Sequence, residues 1–204
     1  MKLKKFNENI ADINSYLLTK KNDGILIDPG FNGKTIIEYC KNKEIEIKHI
    51  ILTHGHFDHI KDIEILAKNY DFDLYISTHD KGFLFSNDLN YASAFGSSFK
   101  LPKLTINEVK NQQVLRLLEE DFVIFLTPGH TKGSICIRKR NKLFSGDTLF
   151  YNSVGRTDLY SGNQSMLFKS LEKIKTKISN DVTVYPGHGK SGKLKEIKEI
   201  NPYL

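Results

Sequence analysis

Thr53-His54-Gly55-His56-Phe57-Asp58-His59 places three imidazoles and a carboxylate within six residues, around a glycine. Imidazole with carboxylate suits Zn, Fe or Mn, and no thiolate lies nearby to indicate a structural cysteine site. Three further ligand-type residues stand beside glycine: His130 in Pro128-Gly129-His130, Asp147 in Ser145-Gly146-Asp147, and His188 in Pro186-Gly187-His188-Gly189. Singly, each would more often be a turn residue than a ligand. With the first cluster they supply seven ligands, too many for one tetrahedral ion. Two divalent ions sharing one carboxylate is the economical arrangement. His49 and His79 have no such company and read as structural or solvated side chains.

Each ligand group follows a short apolar run of the kind that forms a buried strand: 49–52, 122–126, 142–145 and 182–185. A further strand at 24–27 is closed by the turn Asp28-Pro29-Gly30. Runs at 74–77, 114–117 and 134–138 also read as strands. Helical spacing appears at 34–43, 60–70 and 165–178, and a charged tail follows residue 189. Residues 86–100, rich in Asn, Ser and Gly, form a long loop, which in a compact domain is usually functional. This order predicts a layered α/β domain over residues 1–204, with helices outside.

The chain has 204 residues, 39% hydrophobic and 26% charged, which excludes disordered and fibrous classes. The net charge is +6, but the lysines are dispersed and interleaved with glutamate, as in Lys193-Leu194-Lys195-Glu196. No aromatic-basic motif accompanies them, so no nucleic-acid partner is expected. No apolar run approaches the roughly 20 residues that cross a bilayer. Lys2, Lys4 and Lys5 are not followed by a signal-type apolar stretch, because Asn7, Asp12 and Asn14 interrupt it. The expected location is cytoplasmic, with no membrane partner. Cys40 and Cys136 lie in apolar patterns and read as core thiols of a reducing compartment.

The pattern His-x-His-x-Asp-His, followed by His130, Asp147 and His188, resembles the metallo-β-lactamase superfamily over almost the whole chain. Within it, residues 53–59, 127–131, 144–150, Gly155-Arg156-Thr157-Asp158, 90–96 and Asn201-Pro202-Tyr203-Leu204 are similar to small bacterial type II glyoxalases. The resemblance implies a four-layer αβ/βα sandwich with two metals at one edge. It assigns His54, His56 and His130 to the first ion, Asp58, His59 and His188 to the second, and Asp147 to both. Asp28 matches a position that supports the ligand loop from behind, beside its simpler role in an Asp-Pro-Gly turn. Arg156 falls where longer type II glyoxalases place a glutathione-contacting lysine, and Lys190 adds a cation where a tyrosine is usual.

The chemistry expected of such a site is attack by a metal-bound hydroxide, since a metal lowers the pKa of its water from about 15.7 toward 7. A thioester suits it, because a thiolate departs without a strong general acid and none is evident. Asp58 would orient the nucleophile as well as bind metal. The expected substrate is a small-molecule thioester such as a 2-hydroxyacyl-glutathione, and the expected cofactors are two divalent ions, Zn first, with Fe or Mn alternatives. A mononuclear iron persulfide dioxygenase is the alternative of a different reaction class, and a nuclease of the same superfamily a weaker one. The longer type II glyoxalases carry a helical C-terminal domain, whereas residues 189–204 alone follow His188 here.

Overall fold

Each half of the chain builds one six-stranded sheet, and side-chain alternation decides what each face covers. The computed structural model describes residues 1–7 and 12–204. The first sheet holds β1 (Lys2–Phe6), β2 (Ser15–Lys20), β3 (Asp23–Ile27), β4 (Glu46–Ile51), β5 (Asp73–Ser77) and β6 (Thr105–Val109), side by side in chain order. The second holds β7 (Val114–Leu117), β8 (Glu120–Leu126), β9 (Ile135–Lys139), β10 (Lys142–Gly146), β11 (Thr183–Pro186) and the short β12 (Gly192–Lys193). Among the described residues β1 pairs on one side only, with β2, and it carries Lys2, Lys4 and Lys5.

In β2 and β3, Leu17 and Leu26 pack outward with Ile36 and Cys40 of α1 (Gly33–Asn42), and with α2 (Phe57–Ile60) and α3 (Ile63–Leu66). Tyr16, Leu18, Ile25 and Ile27 point the other way, onto Phe122, Ile124, Ile137 and Phe144 of the second sheet. On its far face, Cys136, Leu143 and Val184 meet Leu167, Leu171 and Ile174 of α4 (Gln164–Lys177), and Leu194 and Ile197 of α5 (Leu194–Ile200). Three cores between four layers give the αβ/βα sandwich. Strands buried on both faces read as continuous apolar runs, which is why the sequence revealed most of them. Burial pushes both thiols, Cys40 and Cys136, up to about 11, as core positions require.

β3 through β6 run parallel, as do β10 and β11, so their C-terminal ends open onto one edge. Backbone bonds join the two halves there: Asn14 N–H to Gly187 O at 2.7 Å and Ile135 N–H to Thr53 O at 2.9 Å.

Two expectations need correction. The helix expected at 60–70 is instead two single turns, α2 and α3, with α2 beginning inside the ligand cluster. Asp62 breaks it, because its carboxylate accepts from Gly33 N–H at 2.8 Å and its own N–H donates to Gly30 O at 2.9 Å. The charged tail is also ordered, as β12 and α5, with Leu194 and Ile197 buried among the lysines and glutamates. Among the described residues, no helix is long and apolar enough to cross a membrane.

Candidate metal centre

All seven sequence-predicted ligand residues meet at this edge. His54 and His56 lie in the turn after β4, and Asp58 and His59 in α2. His130 follows β8, Asp147 follows β10, and His188 follows β11. Ligand atoms group as His54–His56–His130, His54–His59–Asp147 and Asp58–His59–His188, each within 4.8 Å.

Backbone geometry permits the convergence. A Cβ at Gly55 would strike the Phe83 side chain, and one at Gly187 would overlap Asp147 and His59. Gly129 sits at φ +150 against the backbone of Leu167. Gly55, Gly129 and Gly187 are therefore close-approach positions, whereas Gly189 has open space around it.

Partners behind the rings decide where their lone pairs point. His130 Nδ1 lies 2.8 Å from the Arg156 carbonyl, so it carries the proton and leaves Nε2 as the lone pair. His59 Nδ1 faces Asp28 Oδ2 at 2.8 Å, and His188 Nδ1 faces Asp12 O at 3.1 Å. Thr53 Oγ1 donates to Asp28 Oδ2 at 2.6 Å, so it accepts from His54 Nδ1 at 3.2 Å. The inward nitrogens of His54, His56 and His130 then stand 2.9–3.2 Å apart in a triangle. Two of these nitrogens, on His54 and His130, are lone pairs; His56 Nε2 is buried without a partner, and one proton on His56 Nδ1 could satisfy only one of the two. The nitrogens left over call for a cation.

The second grouping makes the same demand. His59 Nε2 and Asp147 Oδ1 are 3.3 Å apart, yet both are buried without a hydrogen-bond partner. His188 Nε2 lies 3.3 Å from Asp58 Oδ2 and 3.6 Å from Asp147 Oδ2. Burial, with His59 and His130 behind it, holds His54 well below the usual histidine range. Burial and His130 push His56 down to about 3. Burial opposes charge on His59, but Asp147, Asp58 and Asp28 outweigh it and raise the ring well above its usual value. Burial likewise opposes ionisation of Asp147, and His59 and His130 override it downward. Neutral His54 and His56 beside an ionised Asp147 suit metal binding, and a cation held by His59 would take the place of the proton that its carboxylates favour. The residues present fit two divalent ions.

Asp28, buried at φ +48, is more than a turn residue: besides His59 and the Thr53 hydroxyl it accepts the Thr53 N–H at 2.8 Å. A cleft of ≈ 650 Å³ opens over the cluster, floored by His56, Asp58, His130, Asp147 and His188. Its walls are largely apolar: Tyr91, Ala94 and Phe95 from the predicted long loop, with Phe150 and Leu159 opposite. Arg156 lines the rim, but its guanidinium forks onto Asp158 with two 2.7 Å bonds. Lys190 is not among the cleft-lining residues; its ammonium sits 3.7 Å over the Tyr151 ring.

Sequence reading missed Asp80. It is fully buried just past β5, the same position relative to an apolar run that marked the other ligand groups.

The sequence model of the metallo-beta-lactamase superfamily matches residues 11–188. The chain belongs to that superfamily. Its fold is the metallo-beta-lactamase fold, and the superfamily binds divalent metals through His/Asp clusters such as this one. A "probable metallo-hydrolase" of Streptococcus pyogenes is 33% identical over 100% of this chain and 90% of its own length. The hydroxyacylglutathione hydrolase GloC of Haemophilus influenzae is 29% identical, over 93% of this chain and 91% of its own. Among solved structures, the BLEG-1 B3 metallo-beta-lactamase superposes with a TM-score of 0.92 at 30% identity, covering 100% of this chain and 99% of that one. The superfamily match supports a metal-dependent hydrolase.

Proposed function

We propose that this hydrolase cleaves thioesters of small 2-hydroxy acids, holding two divalent ions on the seven clustered side chains. The observation that carries the reading is the cleft itself: a floor of convergent ligands beneath largely apolar walls, with no lysine lining it to protonate a poor leaving group. Divalent ions held there would polarise a carbonyl and make water nucleophilic at neutral pH. His54, His56 and His130 would hold one, Asp58, His59 and His188 the other, with Asp147 shared. The likeness to GloC over 93% of the chain supports the thioester.

Asp58 has the more open of the two carboxylates, with 24% of its side chain exposed against 10% for Asp147. It would accept the proton of the attacking water and hold it at the cleft. A departing thiolate, with a thiol pKa near 8.5, asks little of that proton; the amine released from an amide asks much more. Thioester cleavage therefore demands less of this site than amide cleavage. The check is turnover of a 2-hydroxyacyl thioester beside a cephalosporin. Thioester turnover is expected to dominate, and the reverse order would replace this reading.

Arg156 would bind the thiol-bearing portion through a carboxylate. Its pair with Asp158 is exposed on both sides and therefore weak, so a substrate carboxylate can displace it. Arg156→Ala should raise KM with kcat little changed, and the loss should shrink for thiols lacking a carboxylate. An unchanged KM with a lower Tm would make Arg156 a brace of its loop. The substrate is a small molecule, and the working location proposed is the cytoplasm.

A further inference from the structure

We infer that Asp80 is a positioning residue that locks the two loops carrying His54, His56 and His130 into one three-histidine site, while leaving the His59–Asp58–His188 side untouched. The inference rests on the two-ion reading above. Asp80 Oδ2 accepts the Gly55 N–H at 3.2 Å, the peptide between His54 and His56. The same oxygen accepts the Thr131 hydroxyl at 2.7 Å, one residue beyond His130. Oδ1 accepts the Gly133 N–H at 2.8 Å. One carboxylate thus bonds to the loop after β4 and the loop after β8. Those loops come from different sheets.

The surroundings are shaped to this carboxylate. A Cβ at Gly133 would overlap Asp80 Oδ1, so glycine is what lets the second loop reach it. Thr131 is fixed in turn by Ser134, whose Oγ lies 2.8 Å from its hydroxyl and accepts its N–H at 3.0 Å. Among the described residues the donors to Asp80 are neutral, with no lysine or arginine among them. The three-histidine grouping has no carboxylate of its own apart from the shared Asp147. A buried negative charge one peptide behind it therefore favours a dication there more than a structural hydrogen bond alone would. Asparagine cannot substitute: its amide NH₂ would face one of the two backbone N–H donors.

The test is calorimetric titration of Zn into metal-free full-length protein. Wild type should take up two ions; uptake of fewer overturns the two-ion reading, and with it this assignment, before any variant is made. His188→Ala should leave the three-histidine event alone. Adding Asp80→Asn to that background should weaken the remaining event about 10–100-fold, the range for groups that orient metal ligands. Asp80→Asn alone should spare the other event. Thr131→Val, which keeps the carboxylate, should weaken the three-histidine event less, with rescue by Thr131→Ser, and it carries the test if Asp80→Asn fails to fold. Equal loss at both events, or a lowered Tm with both affinities unchanged, would overturn the proposal.

Discussion

Thioester cleavage should vanish when the protein is stripped with a strong chelator and return when Zn is restored. The expectation follows from the lone-pair geometry. Three ring nitrogens 2.9–3.2 Å apart and the unpartnered His59 Nε2 and Asp147 Oδ1 are buried polar atoms that bound cations would satisfy. No other group in the cleft replaces their chemistry, because its walls are Tyr91, Ala94, Phe95, Phe150 and Leu159 and its rim is Arg156. The same stripping should lower Tm, since ligands drawn from both sheets then face one another unpaired. Imidazole and carboxylate accept Fe and Mn as well as Zn, so elemental analysis of the protein as purified belongs beside the assay. Full activity in demonstrably metal-free protein would end the proposed mechanism.

Asp147→Ala should cost more activity than Asp28→Ala. Asp147 meets His59, His130 and His188 within 3.3–3.6 Å, so its loss disturbs both proposed ion positions together. Asp28 touches no ion position directly. It holds His59 Nδ1 and both hydrogen-bond donors of Thr53, and groups with that task are worth about 10–100-fold. Loss at Asp147 should exceed that range and be accompanied by loss of bound metal. Because Asp28 sits at φ +48, Asp28→Asn is the control that removes the charge while keeping a residue at ease in that conformation. Equal losses at equal metal content would remove the bridging role of Asp147.

The ligands were legible in the sequence because His54, His56, His130, Asp147 and His188 each adjoin a glycine just past an apolar strand, and Asp58 and His59 follow within the first cluster. β4, β8, β10 and β11 announce themselves as apolar runs, and their ends mark the site. What supports the ligands was less legible. Asp80 reaches Gly133 across 53 positions, and the partners of the His130 and His188 rings are the backbone carbonyls of Arg156 and Asp12, which carry no residue signature. β2, with only Tyr16-Leu17-Leu18 as an apolar run, and β6, where Asn107 and Glu108 separate Ile106 from Val109, do not read as strands either. β1 and α5 escaped notice for a different reason. Their buried residues, Phe6 in one and Leu194 and Ile197 in the other, are too few to stand out among the lysines. The break between α2 and α3 depends on a tertiary bond from Asp62 to Gly33, invisible to periodicity.

The lysines of β1 have a consequence unconnected with catalysis. An edge strand offers free backbone groups to any other chain able to pair with it, which is the usual route to aggregation. Here Lys2 and Lys4 are exposed along that edge, while Lys5 is half-buried and donates to Gly189 O at 2.9 Å. Two copies approaching edge to edge would bring like charges together before any hydrogen bond could form. That repulsion acts over roughly 8 Å at physiological ionic strength and shrinks as salt rises. The basic stretch at the start of the chain thus protects the first sheet from growing a seventh strand out of its neighbour, and gives part of the +6 net charge a colloidal role.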